Sequence, residues 1–220
     1  MKPANPAESN YAAHIPQVRV NYALYKRILD VVGSVTLILL LAPILLAIVL
    51  AVKLSSAGAV IYRQQRIGRY GRPFAFLKFR SMFQDADKRL AALLVEGNEK
   101  DGPIFKMRND PRVTPVGKFL RKYSLDELLQ LCNVLTRDMS LVGPRMIAPE
   151  EMEKYNQWGI NLLTVKPGIT GLWQVSGRSD VSYEERVRLD MYYVRNWTIW
   201  LDLQLLLETF PAVMKGQGAY

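Results

Sequence analysis

The longest pattern in this chain is a run of 22 residues without a charge, Val31–Val52, bounded by Asp30 and Lys53. That length meets the roughly 20 apolar residues needed to cross the hydrocarbon core of a bilayer. Two features argue against a plain crossing. Pro43 stands near the middle of the run, where it removes a backbone donor and bends a helix. Cations flank both ends (Arg19, Lys26 and Arg27 before; Lys53, Arg63, Arg66 and Arg69 after), and positive charge favours the cytoplasmic side. A helix that enters, breaks at Pro43 and returns satisfies both observations; a straight span is the alternative.

Elsewhere the pattern is finer. Val60–Arg66 and Phe74–Arg80 are short runs rich in aromatic and β-branched residues, and the Gly68–Pro73 link between them predicts a hairpin. Ser81–Val95 turns helical, Gly97–Pro103 is a loop leading into Ile104–Met107, and a polar helix is expected around Pro149–Trp158. Lys166–Arg178 is punctuated as turn, short strand, turn. Tyr183–Trp197 is a charged helix and Ile199–Phe210 an apolar one with Trp197 and Trp200 at its start, suited either to a core or to a membrane interface. In Leu120–Asp138 apolar residues recur at Leu125, Leu128, Leu129, Leu131 and Leu135, which predicts one amphipathic helix. Ser124 is its expected N-cap, and Glu127 completes a capping box. Asp126 and Glu127 would then occupy the second and third helical positions, where free N–H groups favour anions. They could hold a phosphate there and stay ionised, or serve only as capping acids.

The fold expected from these elements is α+β and mostly helical, membrane-anchored by a re-entrant helix-break-helix, with a small β-hairpin and amphipathic interfacial helices. Residues 1–18, without periodicity, read as a disordered tail rather than a signal peptide. Residues 19–53 form the anchoring segment and 54–220 a catalytic domain.

Composition narrows the chemistry. Of 220 residues 29 are Lys or Arg and 20 Asp or Glu, and residues 63–122 hold 15 basic against 6 acidic, which accounts for the net charge of +9. Such a patch suits anionic lipid, phosphorylated substrates or nucleic acid, but no groove-reading or stacking motif supports nucleic acid. The single cysteine, Cys132, excludes an internal disulfide and is expected to be a buried thiol; the single histidine, His14, lies in the tail. Acid–base chemistry must therefore rest on carboxylates, Lys, Tyr or a metal. Asp85-Ala86-Asp87 matches the D-x-D pattern of metal-dependent glycosyltransferases, but i and i+2 side chains diverge on a helix. Neither a P-loop nor a dinucleotide fingerprint occurs.

Several longer motifs occur in order: KFRSM (78–82), DPRVTPVGKFLRKYSLDELLQL (110–131), SLVGPR (140–145), KPGITGLWQVSGR (166–178) and YYVRNWTIWLDLQLLLETF within the terminal stretch 192–220. Together they resemble the bacterial monotopic phosphoglycosyl transferases, over roughly residues 22–220, in a short type without the multi-span N-terminal region of longer members. The resemblance implies an enzyme on the cytoplasmic face of the bacterial inner membrane. It would transfer a sugar-1-phosphate, glucose or galactose, from a UDP-sugar to undecaprenyl phosphate, release UMP, and so initiate exopolysaccharide, capsule or O-antigen assembly. Matching the family's acidic dyad makes Asp126 the nucleophile, carrying a phosphosugar-aspartate intermediate, with Glu127 beside it; both would hold Mg²⁺. Arg112, Arg145, Lys118 and Arg121 are the expected phosphate binders, the arginines favoured for bidentate contact. Trp173 or Tyr183 are candidates to stack on the base. Membrane lipids are implied partners, and a homodimer is left open. The rivals are a glycosyltransferase using Asp85 and Asp87 and a non-catalytic basic membrane scaffold.

Overall fold

The computed structural model describes residues 20–86, 88, 107, 110–148, 159, 161–177 and 181–215. The tail at 1–18, His14, Asp87, most of the helix expected at 81–95, the loop at 97–103 with residues 104–106, the helix expected at 149–158, and Arg178 lie outside them.

Helix α1 (Val20–Ser55) contains the whole apolar run, and its assignment continues through Pro43. The expected break is therefore not seen as an interruption; a proline costs one intrahelical bond without having to end the helix. Burial along α1 follows a stripe. Arg27, Asp30, Ser34, Ile38, Leu41, Leu45, Ile48 and Val52, spaced three or four apart, are buried or half-buried, as expected for one helix face packed on a body. Leu24, Ile28, Val32, Leu39, Leu40, Leu46 and Leu50 on the other sides stay exposed.

Polar pins hold both ends of this stripe. Asp30, 3% exposed, accepts from the Leu141 N–H at 2.9 Å and from Ser140 Oγ at 2.8 Å. Lys26 Nζ donates to Asp202 Oδ2 at 2.6 Å, to the Val142 carbonyl at 3.0 Å and to Tyr193 OH at 3.2 Å. Arg27 donates to the Val134 and Leu135 carbonyls, which end the helix of residues 130–135. At the far end Arg80 donates to the carbonyls of Val52, Ser56 and Ala57 and so caps the last turn of α1. A cation at a helix C-terminus satisfies free carbonyls and opposes the dipole.

The hairpin forms as β1 (Ile61–Ile67) against β2 (Pro73–Phe79), in antiparallel register from Ile61 opposite Phe79 to Ile67 opposite Pro73. A turn at Arg69–Gly71 joins them, with Tyr70 at φ 61°. A second, parallel pair joins β3 (Ser140–Val142) to β4 (Gly168–Thr170). A Cβ on Gly168 would collide with the Gly143 backbone, so the two strand ends meet only because both residues are glycine. Helices α2 (Pro115–Lys122), α3 (Gln130–Leu135), α4 (Leu172–Val175), α5 (Tyr183–Asn196) and α6 (Ile199–Lys215) complete the described elements. Phe74 and Phe76 of β2, Leu131 and Val134 of α3, Leu141 and Val142 of β3, Tyr193 of α5 and Leu205 of α6 share one core. Ile48 and Val52 of α1 join Phe79 and Leu120 in another.

Two expectations are corrected. The single helix at 120–138 is divided: α2 ends at Lys122, Ser124 takes the left-handed conformation (φ 52°, ψ 23°), and α3 starts only at Gln130. Cys132 is exposed, because α3 buries Gln130, Leu131, Asn133 and Val134 and so turns position 132 outward.

Asn133 explains why β2 sits on α3. Its Oδ1 accepts from the Leu77 N–H at 3.1 Å and its Nδ2 donates to the Ala75 carbonyl at 2.8 Å, so one amide pairs the outer edge of β2 as a neighbouring strand would. Asn133→Ala should lower stability by about 1–3 kcal/mol, since two part-buried backbone groups each lose a partner. A fall in the thermal unfolding midpoint of detergent-solubilised protein, followed by circular dichroism, checks it.

Candidate active site

Three segments converge on Asp126 and Glu127. Thr114 begins the first: its Oγ1 accepts from the Gly117 N–H at 2.9 Å with Pro115 in the first helical turn, a standard helix start. A Cβ on Gly117 would overlap the Ser81 carbonyl, so glycine lets α2 seat against the end of the hairpin. After α2 the left-handed turn at Ser124 redirects the chain into a 3-10 turn, Leu125–Glu127. Ser124 provides no side-chain cap, so the capping box does not form. The two acids are presented by a strained turn between helices, not by the N-terminus of a long one. Non-glycine residues at positive φ cost free energy and concentrate at functional sites.

The second segment is β2. Lys78 reaches across to place Nζ 2.7 Å from Glu127 Oε1 and 3.8 Å from Asp126 Oδ2, with the Phe76 ring beneath the ammonium. The third follows β3: Arg145 Nη2 lies 3.5 Å from the same Glu127 oxygen. Arg121, on the last turn of α2, donates to Ser81 Oγ at 2.9 Å and lies close enough to act on both carboxylates.

This surrounding divides the acids. Asp126 is 5% exposed, and burial pushes its carboxyl up, helped by the charge on Glu127 and opposed by Lys78 and Arg121. Burial works against Glu127 as well, but Lys78 and Arg145 outweigh it and hold the group down at about 2. The two acids therefore differ: a proton taken up by the pair goes first to Asp126, and Glu127 keeps its charge to lower pH. Like charges side by side do not ionise equally.

The expected phosphate binders separate in the same way. Arg145 reaches Glu127, whereas Arg121 is bonded to Ser81 and acts on the dyad only through its charge. Arg112 is committed to Asp110, with Nε 2.9 Å from Oδ1 and Nη2 2.7 Å from Oδ2, both residues buried. Lys118 is exposed on α2. Asp85 lies in the turn after β2. Among the described residues no group of three or more His, Cys, Asp or Glu side chains gathers as a metal site. Two adjacent carboxylates nevertheless fit Mg²⁺, which commonly takes one or two carboxylate oxygens and completes its shell with water and substrate phosphates. Asp126 and Glu127 are the residues that would hold it.

Behind Arg145 lies a group that sequence reasoning missed. Arg145 and Arg186 lie over the Trp173 ring, at 5.8 and 5.0 Å from its centre. Trp173 is buried, so its ring serves the arginines and is not open to a stacked base. Asp190 Oδ2 is 4.0 Å from Arg186 Nε. Asp190 is 1% exposed, and burial raises its carboxyl to about 7 against the pull of Arg186 and Arg145. Its only signal in the sequence was an acid four residues after an arginine on a helix, a pattern common on solvated faces. Lys78 opens the KFRSM motif (78–82), but nothing in the sequence pairs it with Glu127.

Comparison with known proteins shows the family of the chain. The bacterial sugar transferase family matches the chain over residues 21–216. The exopolysaccharide production protein ExoY of Rhizobium meliloti (strain 1021) is 43% identical over 206 residues, covering 92% of this chain and 91% of that protein. The undecaprenyl-phosphate galactose phosphotransferase of Salmonella typhimurium is 46% identical over 201 residues, 89% of this chain and 41% of that protein. The UDP-glucose:undecaprenyl-phosphate glucose-1-phosphate transferase of Escherichia coli (strain K12) is 42% identical over 206 residues, 90% of this chain and 42% of that protein. The chain thus spans about two fifths of the length of these last two relatives.

Asp190 sets a pH dependence of stability. Its folded pKa of about 7 lies above its ordinary value of 3.8, so its contribution is fully present below about pH 4 and is lost as pH rises through 7. Between those limits Asp190→Asn should show a shallower decline than the wild type, by up to about 1.4 kcal/mol per pH unit. Denaturant unfolding at pH 5, 6, 7 and 8 reads the difference in slope, whatever constant offset the substitution adds.

Proposed function

The chain belongs to the bacterial sugar transferase family, and on that footing we propose that it transfers a hexose-1-phosphate from a UDP-sugar to undecaprenyl phosphate, with Asp126 as the covalent carrier. The observation that carries this reading is the Asp126–Glu127 turn paired with Lys78 and Arg145, with the charge of Arg121 nearby. A carboxylate attacking a diphosphate must overcome repulsion between anions, so a nucleophilic acid needs cations around it.

Ionised Asp126 attacks the phosphorus that bears the sugar. The bond from that phosphorus to the bridging oxygen breaks, UMP leaves with the electron pair, and a phosphosugar-aspartate remains. An oxygen of undecaprenyl phosphate then attacks the same phosphorus, and Asp126 departs as the free carboxylate. Lys78, Arg121 and Arg145 neutralise the phosphoryl oxygens through both steps, and Arg145 in addition has Asp190 and Arg186 behind it. Glu127, held ionised, keeps Lys78 and Arg145 in place. Mg²⁺ held by Asp126 and Glu127 supplies further neutralisation of the diphosphate when bound.

The membrane arrangement belongs to the same proposal. Both ends of the apolar run are tied to one body, Asp30 to β3 and Val52 to Arg80. Along one helix those ends already lie about 33 Å apart, so the body that both are tied to runs beside the apolar run, and a crossing would draw that body into the hydrocarbon core. We therefore favour a helix that dips into one leaflet with its exposed apolar sides and leaves the dyad on the cytoplasmic side. Trp200, Leu207, Phe210 and Met214 of α6, all exposed and spaced along one helical face, would lie at the same interface. A lipid-borne acceptor would then reach the dyad without leaving the membrane.

In detergent with undecaprenyl phosphate and Mg²⁺, the protein should release UMP from UDP-glucose or UDP-galactose, and Asp126→Asn should lower the rate by at least 10³-fold, the order expected on losing a covalent nucleophile. Glu127→Gln should lower it less, by roughly 10–10³-fold, because it loosens cations and removes no bond-forming atom. UDP as the product would point to a glycosyltransferase, and full activity of Asp126→Asn would sink the assignment.

A further inference from the structure

Lys78 stands where a cation serving the dyad would have to come. Its ammonium is 2.7 Å from Glu127 and 3.8 Å from Asp126, so one positive charge is shared by both carboxylates. A divalent ion held by the same two carboxylates would meet that ammonium as a competing charge. The charge inventory points the same way. Lys78 and Arg145 already pair with Glu127, and a divalent ion would add positive charge beside them that an anionic ligand offsets.

We propose that Lys78 is an interlock between metal and donor: in the substrate-free site its ammonium occupies the dyad, and a divalent cation binds tightly there only when a phosphate group draws the ammonium away. The inference rests on the reading of Asp126 and Glu127 as the metal-holding pair. The side chain is suited to the movement. Lysine is a point charge on a flexible four-carbon stem, unlike the planar fork of arginine, and this one is partly exposed, at 22%. Its base is fixed, since β2 is paired with β1 and bonded to Asn133 at the adjacent Leu77. The strand stays and the ammonium swings. Metal and phosphate then strengthen each other's binding, and by linkage each does so by the same factor.

Free Mn²⁺ measured by electron paramagnetic resonance tests this at pH 8 on the full chain in detergent, with and without UMP. Lys78→Gln should bind Mn²⁺ at least tenfold more tightly than the wild type when no nucleotide is present. UMP should tighten Mn²⁺ binding by a similar factor in the wild type and by less than twofold in Lys78→Gln. Lys78→Arg, which keeps the charge, should remain as weak as the wild type without UMP, and Glu127→Gln should abolish the tight site in the Lys78→Gln background. Equal affinity in wild type and Lys78→Gln, or an absence of any UMP effect in the wild type, overturns the interlock, and the second arm holds even if the glutamine variant fails to fold. No Mn²⁺ binding in any protein overturns it together with the dyad's role as a metal site. If the Mn²⁺ pattern holds and UMP release fails, only the reaction is wrong.

Discussion

The ion pair between Lys78 and Glu127 ties the hairpin to the acidic turn, beside the packing of Phe79 on Leu120 and the Asn133 bonds to β2. It runs from the hairpin to the turn after α2, and through the same carboxylate oxygen it reaches Arg145 beyond β3. A half-buried pair of this kind is costly to leave broken, because each group loses its partner where water cannot fully replace it. Hairpin, acidic turn and β3 are therefore placed with respect to one charge. The strained Ser124 turn is tolerated because packing on both sides determines it: Leu120 is buried before it and Gln130 and Leu131 after it.

The anchor is built into the same body. Asp30 accepts from β3, Lys26 donates to the carbonyl of Val142, and Arg145 follows three residues later. Asp202, fully buried, collects Lys26, Tyr193 and Trp197 around its two oxygens, so α5 and α6 share the fastening. The membrane helix and the acidic turn are thus coupled through the short strand between them.

Much of the fold was legible in the sequence. The hairpin emerged within one residue of its expected limits, the apolar run is helical, and the two C-terminal helices begin where their patterns begin. Each of these follows from a local period or a local turn signal. The helix expected at 120–138 shows the limit. Leucines recur there at helical spacing, but the residue that divides it, Ser124, is also a good cap, and only packing selects the left-handed conformation over the capping one. Cys132 likewise could not be assigned to a face before the helix boundary was known.

By itself, the sequence determined which chemistry was available: a carboxylate pair in a basic stretch, no usable histidine or thiol, and a segment apolar enough for lipid. Tertiary structure decided which charges meet. Arg112 and Arg145 are both arginines in glycine- and proline-marked motifs, yet one closes on Asp110 two residues away and the other faces Glu127. Lys78 lies 49 residues from Glu127, and Lys26 lies 176 from Asp202. Periodicity records whether a residue faces the interior because burial repeats along the element. The partner of a charge depends on which distant segment arrives opposite it, and nothing local encodes that.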